Sequence, residues 1–289
     1  MSARRWVDLH THSTASDGSV SPQRLLAEAD AAGLAVIALT DHDTTEGLAP
    51  ARQAAAEFPQ LRLVSGIEVS AAFAGGTMHI LGLGIDENAP SLQALTREMQ
   101  AARAGRNPRI IAKLQALGLA IDLADVLAQA GGGDQRILGR LHIAQTLAAK
   151  GHVRCPAEAF DRYLGDGGPA AVPKDRWRPR QVIDAIHGGG GIAMLAHPSQ
   201  LRCANRLQLE RVLRDLAHAG LDGIEVYHPD HSPQQTRLCL ELATKLNLLP
   251  SGGSDFHGLG KPAVQLGHPR VSVTMIERTA ERLAVLNDE

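Results

Sequence analysis

Short, continuously apolar runs alternate with helical patterns along this chain, and nearly every run closes on a histidine or an acid. "LAVIALT", residues 34–40, is apolar at almost every position, which suits a strand covered on both faces. Before it, Ser21 and Pro22 open "PQRLLAEADAAG", with serine as the cap and proline at the first helical position. "EGLAPARQAAAEF" reads as a second helix and "LRLVSGIEVS" as a third strand. With "WVDLH" in front, the order is β-α-β-α-β, the pattern of a parallel α/β sheet or barrel.

The alternation stops at about residue 90. "PSLQALTREMQAARAGRNPRIIAKLQALG", "IDLADVLAQAGGGD", "LGRLHIAQTLAAKG" and "PAEAFDRYLGDGG" are helical patterns with no strand between them. They predict a helical subdomain over 90–170, inserted between 1–89 and 171–289 of one α/β domain. After it, "PRQVIDAIHGG", "GIAMLAHP", "RLQLERVLRDLAHAG", "LDGIEVYHP", "SPQQTRLCLELATKLN" and "LLPSGGSDFHG" restore the β/α order.

Strand C-termini converge on one face of a parallel barrel, so residues far apart in sequence would meet there. The runs deliver His10 and His12 with Asp17 in the next loop, then Asp41, His42 and Asp43, then Glu68. "TMHILGLG" carries His79, and later runs bring His197, Glu225, His228, Asp255 and His257. On an extended segment residues i and i+2 share a side, so His10 and His12 project together. A lone histidine is more often a satisfied core residue, and His79 by itself is no stronger than that. His142, His152, His187, His218 and His268 fall on helix faces or in loops without partners and read as structural. Repetition at equivalent strand ends is harder to explain without metal, because unpaired buried polar groups cost about 1–3 kcal/mol each. A multi-metal site is the better account.

The remaining composition removes other classes. A formal net charge of −2 over 289 residues argues against a general nucleic-acid binder with a basic surface. Aromatics at 3% supply no base-stacking platform for long single strands. Cys155, Cys203 and Cys239 form no CxxC pair and suit a reducing compartment. The first residues enter a strand at once, without room for a signal peptide, and no apolar run nears the roughly 18 residues of a membrane span. These features predict a cytoplasmic protein with no membrane association and no evident protein partner.

The segments "DLHTHSTASDGS", "ALTDHD", "GIEVS", "HILGLG", "AHP", "DGIEVYHP" and "GGSDFHG" resemble the PHP family, the polymerase and histidinol phosphatase superfamily of metal-dependent phosphoesterases. "RAGRNPRIIAKL", "GRLHIAQTLAAKGHV" and "AFDRYLGDGGPAAVP" are similar to the bacterial group of 3',5'-nucleoside bisphosphate phosphatases and 5'-3' exoribonucleases. The resemblance covers essentially the whole chain and implies a distorted (β/α)7 barrel with a trinuclear centre. It implies that His10, His12 and Asp255 hold one divalent ion and that Glu68 bridges it to a second, completed by His79 and His197. Asp17, His42 and His257 would hold the third. Many relatives carry histidine where this chain has Asp17; an oxygen ligand there shifts preference from zinc toward manganese, magnesium or iron, with manganese the best fit. Relatives often read GRPHIA where this chain has "GRLHIA", which leaves Arg140 and His142 without an assigned role.

Three divalent ions would bring six positive charges against three from Asp17, Glu68 and Asp255, a strong field for a terminal phosphate. A water bridging two ions would lose its proton near neutral pH and attack phosphorus in line. His228 or His231 would pass a proton to the leaving alkoxide. Arg103 and Arg106, three apart on a helical face with Asn107 beside them, suit a clamp on a second phosphate, and Arg136 follows a glycine run that would let it close over the ligand. The expected substrate is a nucleoside 3',5'-bisphosphate losing its 3'-phosphate. An exoribonuclease on short 5'-phosphorylated RNA is the alternative enzyme. A non-catalytic PHP module would be expected to have lost ligands, and none of the nine is lost. An amidohydrolase-like deacylase would normally use a lysine at these strand ends, and none is there.

Overall fold

The computed structural model describes residues 6–130, 138–165, 167–172 and 177–287. It divides into two compact units, one of residues 1–96 with 176–289 and one of residues 97–175.

The first unit contains β1 (Trp6–Asp8), α1 (Pro22–Ala31), β2 (Leu34–Leu39), α2 (Leu48–Ala55), β3 (Arg62–Ala71) and β4 (Met78–Leu83). From β4 the chain enters the long helix α3 (Pro90–Ala116), which runs across the division between the units. The second unit continues with α4 (Leu123–Gln129), α5 (Arg140–Ala149) and α6 (Pro156–Ala159). The chain then returns through α7 (Pro179–Gly188), β5 (Ile192–Leu195), α8 (Arg206–His218), β6 (Gly223–Tyr227), α9 (Pro233–Lys245) and β7 (Leu249–Gly252), ending with β8 (Val271–Ser272) and α10 (Glu277–Asn287).

The eight strands form one sheet in the order β7-β6-β5-β4-β3-β2-β1-β8. Beyond β1 and β7 the sheet closes: Leu9 N–H donates to Gly252 O at 3.1 Å, Asp255 N–H to His10 O at 2.9 Å, and His12 N–H to Phe256 O at 3.0 Å. The fold is therefore a distorted barrel of seven strands, with β8 added antiparallel along the start of β1. The distortion has a definite location. β4 runs antiparallel to both β3 and β5, whereas β1–β2, β2–β3, β5–β6 and β6–β7 are parallel. A short apolar run reads the same in either direction, so the sequence could not signal this reversal.

Side-chain alternation explains why one end of the barrel is apolar and the other polar. Along β3, Val64 and Glu68 lie on one face, Val64 in the apolar core and Glu68 nearer the strand's end. Along β4, Leu83, Leu81 and His79 share a face, and because this strand is reversed its donor stands at its start. Val7, Leu9, Ala38, Met194 and Leu249 belong to the same buried core.

Local signals match the elements. Ser21 caps α1 by accepting from Arg24 N–H with Pro22 at the first position, and Ser232 with Pro233 does the same for α9. In the second unit, Ile110, Leu114, Val126, Ile143, Leu147 and Leu164 pack as a core of their own. β8 and α10 follow the last run that the sequence patterning marks.

Candidate metal centre

The donors stand in loops at one end of the barrel or at strand positions facing it. His10 and His12 follow β1, Asp17 precedes α1, and His42 follows β2. Glu68 lies in β3 and His79 in β4; His197 follows β5, and Asp255 and His257 follow β7. Backbone pairing sets their closeness. Glu68 N–H donates to Asp41 O at 3.1 Å and Asp43 N–H to Glu68 O at 2.9 Å, a parallel bridge that puts His42 opposite Glu68. Glu68 pairs with Leu81 and Ser70 with His79, so Glu68 and His79 are diagonal neighbours across the ladder.

Glu68 is the hub. Its Oε1 lies 2.8 Å from His79 Nδ1 and 2.9 Å from His197 Nε2. Its Oε2 lies 2.9 Å from His42 Nδ1 and 3.3 Å from the Nε2 atoms of both His10 and His12. Asp255 Oδ1 lies 3.3 Å from His12 Nε2 and 3.6 Å from His10 Nε2. Asp17 lies 3.3 Å from His257 Nε2 and 3.9 Å from His42 Nε2. Donor atoms of four sets come within 4.8 Å of one another: His10, His12 and Asp255; His10, Glu68 and His197; His42, Glu68 and His79; and His12, Asp17, His42 and His257. All nine residues named from the sequence fall in these overlapping sets.

The chemistry of the set fits cations. His10 Nε2, both ring nitrogens of His12, His42 Nδ1, His197 Nδ1 and Glu68 Oε2 are buried without a hydrogen-bond partner. Lone pairs converging from several sides with no donor between them are costly unless a positive ion sits among them. Six imidazoles with three carboxylates is a donor set for divalent ions of borderline character.

Surrounding residues hold these groups in place. Glu225, fully buried on β6, accepts His10 Nδ1–H at 3.2 Å and His197 N–H at 2.7 Å. Its partner-fixing of His10 turns the other ring nitrogen toward Glu68 and Asp255. Asp41 does not join the donors; it accepts from Ser13 N–H at 2.8 Å, Ser13 Oγ–H at 2.7 Å and Ser16 Oγ–H at 2.6 Å, bracing the loop between His12 and Asp17. Asp43 likewise accepts Ser70 N–H at 3.0 Å. Asp8 accepts Ser254 N–H and Gly267 N–H, each at 2.8 Å, and so ties β1 to the Asp255 loop. Lys261 contacts Asp255 through its ammonium group. It comes from an irregular loop six residues on, where strand patterning carries no signal.

Two donors occupy left-handed backbone conformations, His197 at φ 26° and Asp255 at φ 54°. A non-glycine residue there is strained, and surrounding bonds must impose it. Glu225 on His197 N–H and His10 O on Asp255 N–H are those bonds.

Electrostatics separates the imidazoles. Burial opposes charge on His12, but the Asp255 and Glu68 carboxylates outweigh it and push this histidine up to about 9. Against the same burial, Glu68, Glu225 and Asp255 hold His10 well above the usual imidazole range. Burial wins at His79 and pushes it down to about 3, despite Glu68. Protons on His10 and His12 therefore compete with cations for the same lone pairs.

The other residues named from the sequence are placed as follows. His228 Nδ1 accepts Asp230 N–H at 3.1 Å, so Nε2 carries the proton, 3.5 Å from Asp255 Oδ2. His231 is different: its Nδ1–H donates to Val226 O at 2.9 Å, leaving Nε2 as a buried lone pair with no proton to give. Burial also pushes the His231 imidazole below its usual value. In the second unit, Asn107 is buried and donates to Leu138 O at 2.9 Å, and Arg106 Nε–H donates to Val172 O at 3.0 Å. The Arg103 guanidinium lies beside Gly139, within 3.3 Å of where a β-carbon would stand. Arg136 lies outside the described residues. His142 accepts Gly139 N–H at 3.1 Å at the start of α5, and Arg140 donates to Leu164 O at 3.0 Å, so both brace the second unit.

A closed α/β barrel with overlapping imidazole and carboxylate donor sets at one mouth is a scaffold suited to holding divalent ions. The PHP domain model matches residues 8–166, and the chain belongs to the PHP family. It is 35% identical over 262 residues to a 3',5'-nucleoside bisphosphate phosphatase of Chromobacterium violaceum, covering 91% of this chain and 90% of the relative. It is 37% identical to a 5'-3' exoribonuclease of Haemophilus influenzae (86% of this chain, 89% of the relative). A phosphoribosyl 1,2-cyclic phosphate 1,2-diphosphodiesterase of Eggerthella lenta is 36% identical (87% and 94%). A solved structure from Bifidobacterium adolescentis, described as a metal-dependent phosphoesterase, superposes with a TM-score of 0.86 at 32% identity, covering 96% of each chain. The protein is a PHP metal-dependent phosphoesterase. The three named relatives share phosphate-ester cleavage and part company at the substrate. No helix among the described residues is long and apolar enough to cross a membrane.

Proposed function

We propose that the protein removes the 3'-phosphate from nucleoside 3',5'-bisphosphates, yielding nucleoside 5'-monophosphates. The observation that carries the reading is the donor set around Glu68, several of whose buried atoms lack partners of their own. Similarity to the Chromobacterium violaceum phosphatase over nine-tenths of both chains supports the choice of substrate.

His10, His12, Asp255 and Glu68 would hold one divalent ion; Glu68, His79 and His197 a second; Asp17, His42 and His257 a third. Such ions supply Lewis acidity for the phosphoryl oxygens and a water acidic enough to act near neutral pH, with manganese the best match to the Asp17 ligand. Glu225 orients the His10 ring throughout. His228 presents Nε2–H at the edge of the donor set, where it hydrogen-bonds the leaving 3'-oxygen and steadies the charge that develops there. The single proton on His231 is committed to Val226, so the leaving group draws on His228 alone. Arg103 and Arg106 are the residues proposed for the 5'-phosphate.

The exoribonuclease reading keeps the same centre and changes only what the rest of the molecule binds. Turnover of adenosine 3',5'-bisphosphate and of a 5'-phosphorylated RNA trimer by manganese-loaded protein separates the two. Rapid loss of phosphate from the bisphosphate with slow trimer cleavage supports the phosphatase. Stepwise release of mononucleotides from the trimer, with little bisphosphate turnover, replaces it with the exonuclease.

A further inference from the structure

The two oxygens of Asp255 meet different neighbours. Oδ1 lies among the donors, 3.3 Å from His12 Nε2 and 3.6 Å from His10 Nε2. Oδ2 lies 3.5 Å from His228 Nε2 and in contact with the Lys261 ammonium. Two groups that carry protons, an imidazole and an ammonium, thus meet on one oxygen of a ligand carboxylate.

Of this trio the lysine is the one that solvent reaches. Its side chain is 36% exposed, against 5% for Asp255 and 2% for His228. An ammonium has three N–H donors, and among the described residues Asp255 is the only side-chain partner of this one. Donors therefore remain for a ligand arriving at the mouth. The loop that presents them is pinned. Ser19 N–H donates to His257 O at 3.1 Å, Leu259 N–H to Ser19 Oγ at 2.7 Å, and Lys261 N–H to Gly258 O at 3.1 Å. A fixed positive charge beside a ligand carboxylate opposes a cation there, so the lysine does nothing for metal affinity. An anionic substrate is what gains from it.

We propose that Lys261 binds the phosphate under attack, donating to a non-bridging oxygen while it keeps its bond to Asp255, and that it favours terminal phosphomonoesters over phosphodiesters. Near neutral pH a monoester carries about −1.5 to −2 and a diester about −1, so one added cation strengthens the monoester's binding more. His228 Nε2–H, on the same Asp255 oxygen, then stands next to the lysine for the leaving oxygen of that ester. The inference rests on the phosphatase reading and makes Lys261 a specificity residue for it.

The test is Lys261→Met, which keeps much of the stem and removes the charge, in metal-loaded protein with its bound metal counted by a chromophoric chelator. Calorimetric titration with methyl phosphate and dimethyl phosphate reads binding without turnover. Affinity for methyl phosphate should fall roughly 10- to 100-fold, the loss of one charge-assisted bond, and affinity for dimethyl phosphate by clearly less. The metal count should not fall. kcat/KM for adenosine 3',5'-bisphosphate should drop in step with methyl phosphate affinity, and Lys261→Gln, shorter and polar, should repeat the pattern. Unchanged methyl phosphate affinity, or an equal loss for both esters, overturns the proposal. Loss of bound metal in both variants overturns it too, because the lysine then serves the centre and not the substrate. If wild type turns over no bisphosphate, the phosphatase reading has failed, and the methyl phosphate titration still judges Lys261. If wild type and Lys261→Met turn the bisphosphate over equally well, Lys261 alone has failed.

Discussion

Glu225 accepts the Nδ1–H of His10 at 3.2 Å and, with its other oxygen, the backbone N–H of His197 at 2.7 Å. One buried carboxylate thus fixes two of the nine donors without touching a cation. Glutamine cannot replace both bonds, because its amide offers one acceptor and places a donor against a donor at the second. Glu225→Gln should weaken metal binding about 10- to 100-fold while the barrel remains folded. Competition with a chromophoric chelator, beside circular dichroism, measures both; unchanged affinity would remove Glu225 from this role.

Glu68 meets five imidazoles with two oxygens. Glu68→Gln removes the charge shared between two of the proposed ion positions. Turnover should fall by roughly 10²–10³-fold or more, with the bound-metal count falling too. Full activity at full metal content would show that the carboxylate charge is dispensable.

Removing the metal should reverse how stability depends on pH. His12, raised to about 9 by Asp255 and Glu68, contributes stability in chelator-treated protein that is fully present below its unfolded value near 6.5. That contribution is lost as pH rises through 9. Chelator-treated protein should therefore melt at progressively lower temperature between pH 6.5 and 9.5. Metal-loaded protein, whose imidazoles must be deprotonated to bind, should gain on the same path. Parallel melting curves in both forms would contradict the proton–metal competition.

His228→Gln should affect poor leaving groups most. If Nε2–H stabilises the departing oxygen, kcat on a nucleotide 3'-ester should drop about 10²-fold, and turnover of an aryl phosphate far less. An equal loss on both would mean that His228 acts elsewhere.

Gly253 sits where a β-carbon would come within 2.5 Å of both His10 N and His10 Cβ. Gly253→Ala must therefore push β7 away from the His10 segment. Destabilisation of about 1–3 kcal/mol in urea unfolding is expected, together with weaker metal binding. A stable variant with wild-type affinity would show that the close approach is not needed.

Much of the site was legible because barrel geometry turns strand-end position into spatial nearness. Nine donors could be named from apolar runs that close on His, Asp or Glu, and the overlapping sets contain those residues. The reversal of β4 was not legible, since "MHILGL" carries no directional signal; His79 reaches Glu68 from the start of its strand rather than the end. Nor does spacing separate Asp41 and Asp43 from His42. All three close the same run, but only His42 points to the donors, while the acids bind the Ser13–Ser16 loop and Ser70. Lys261 and the tautomers of His228 and His231 depend on loop contacts with Asp255, Asp230 and Val226, which no periodicity encodes.

The most direct measurement is the identity of the nucleotide formed from adenosine 3',5'-bisphosphate by metal-reconstituted protein, separated by chromatography with inorganic phosphate assayed alongside. The account predicts 5'-AMP and phosphate in equal amounts, abolished by chelator and restored by manganese. Formation of 3'-AMP, or no turnover in protein shown to hold its metal, would contradict it.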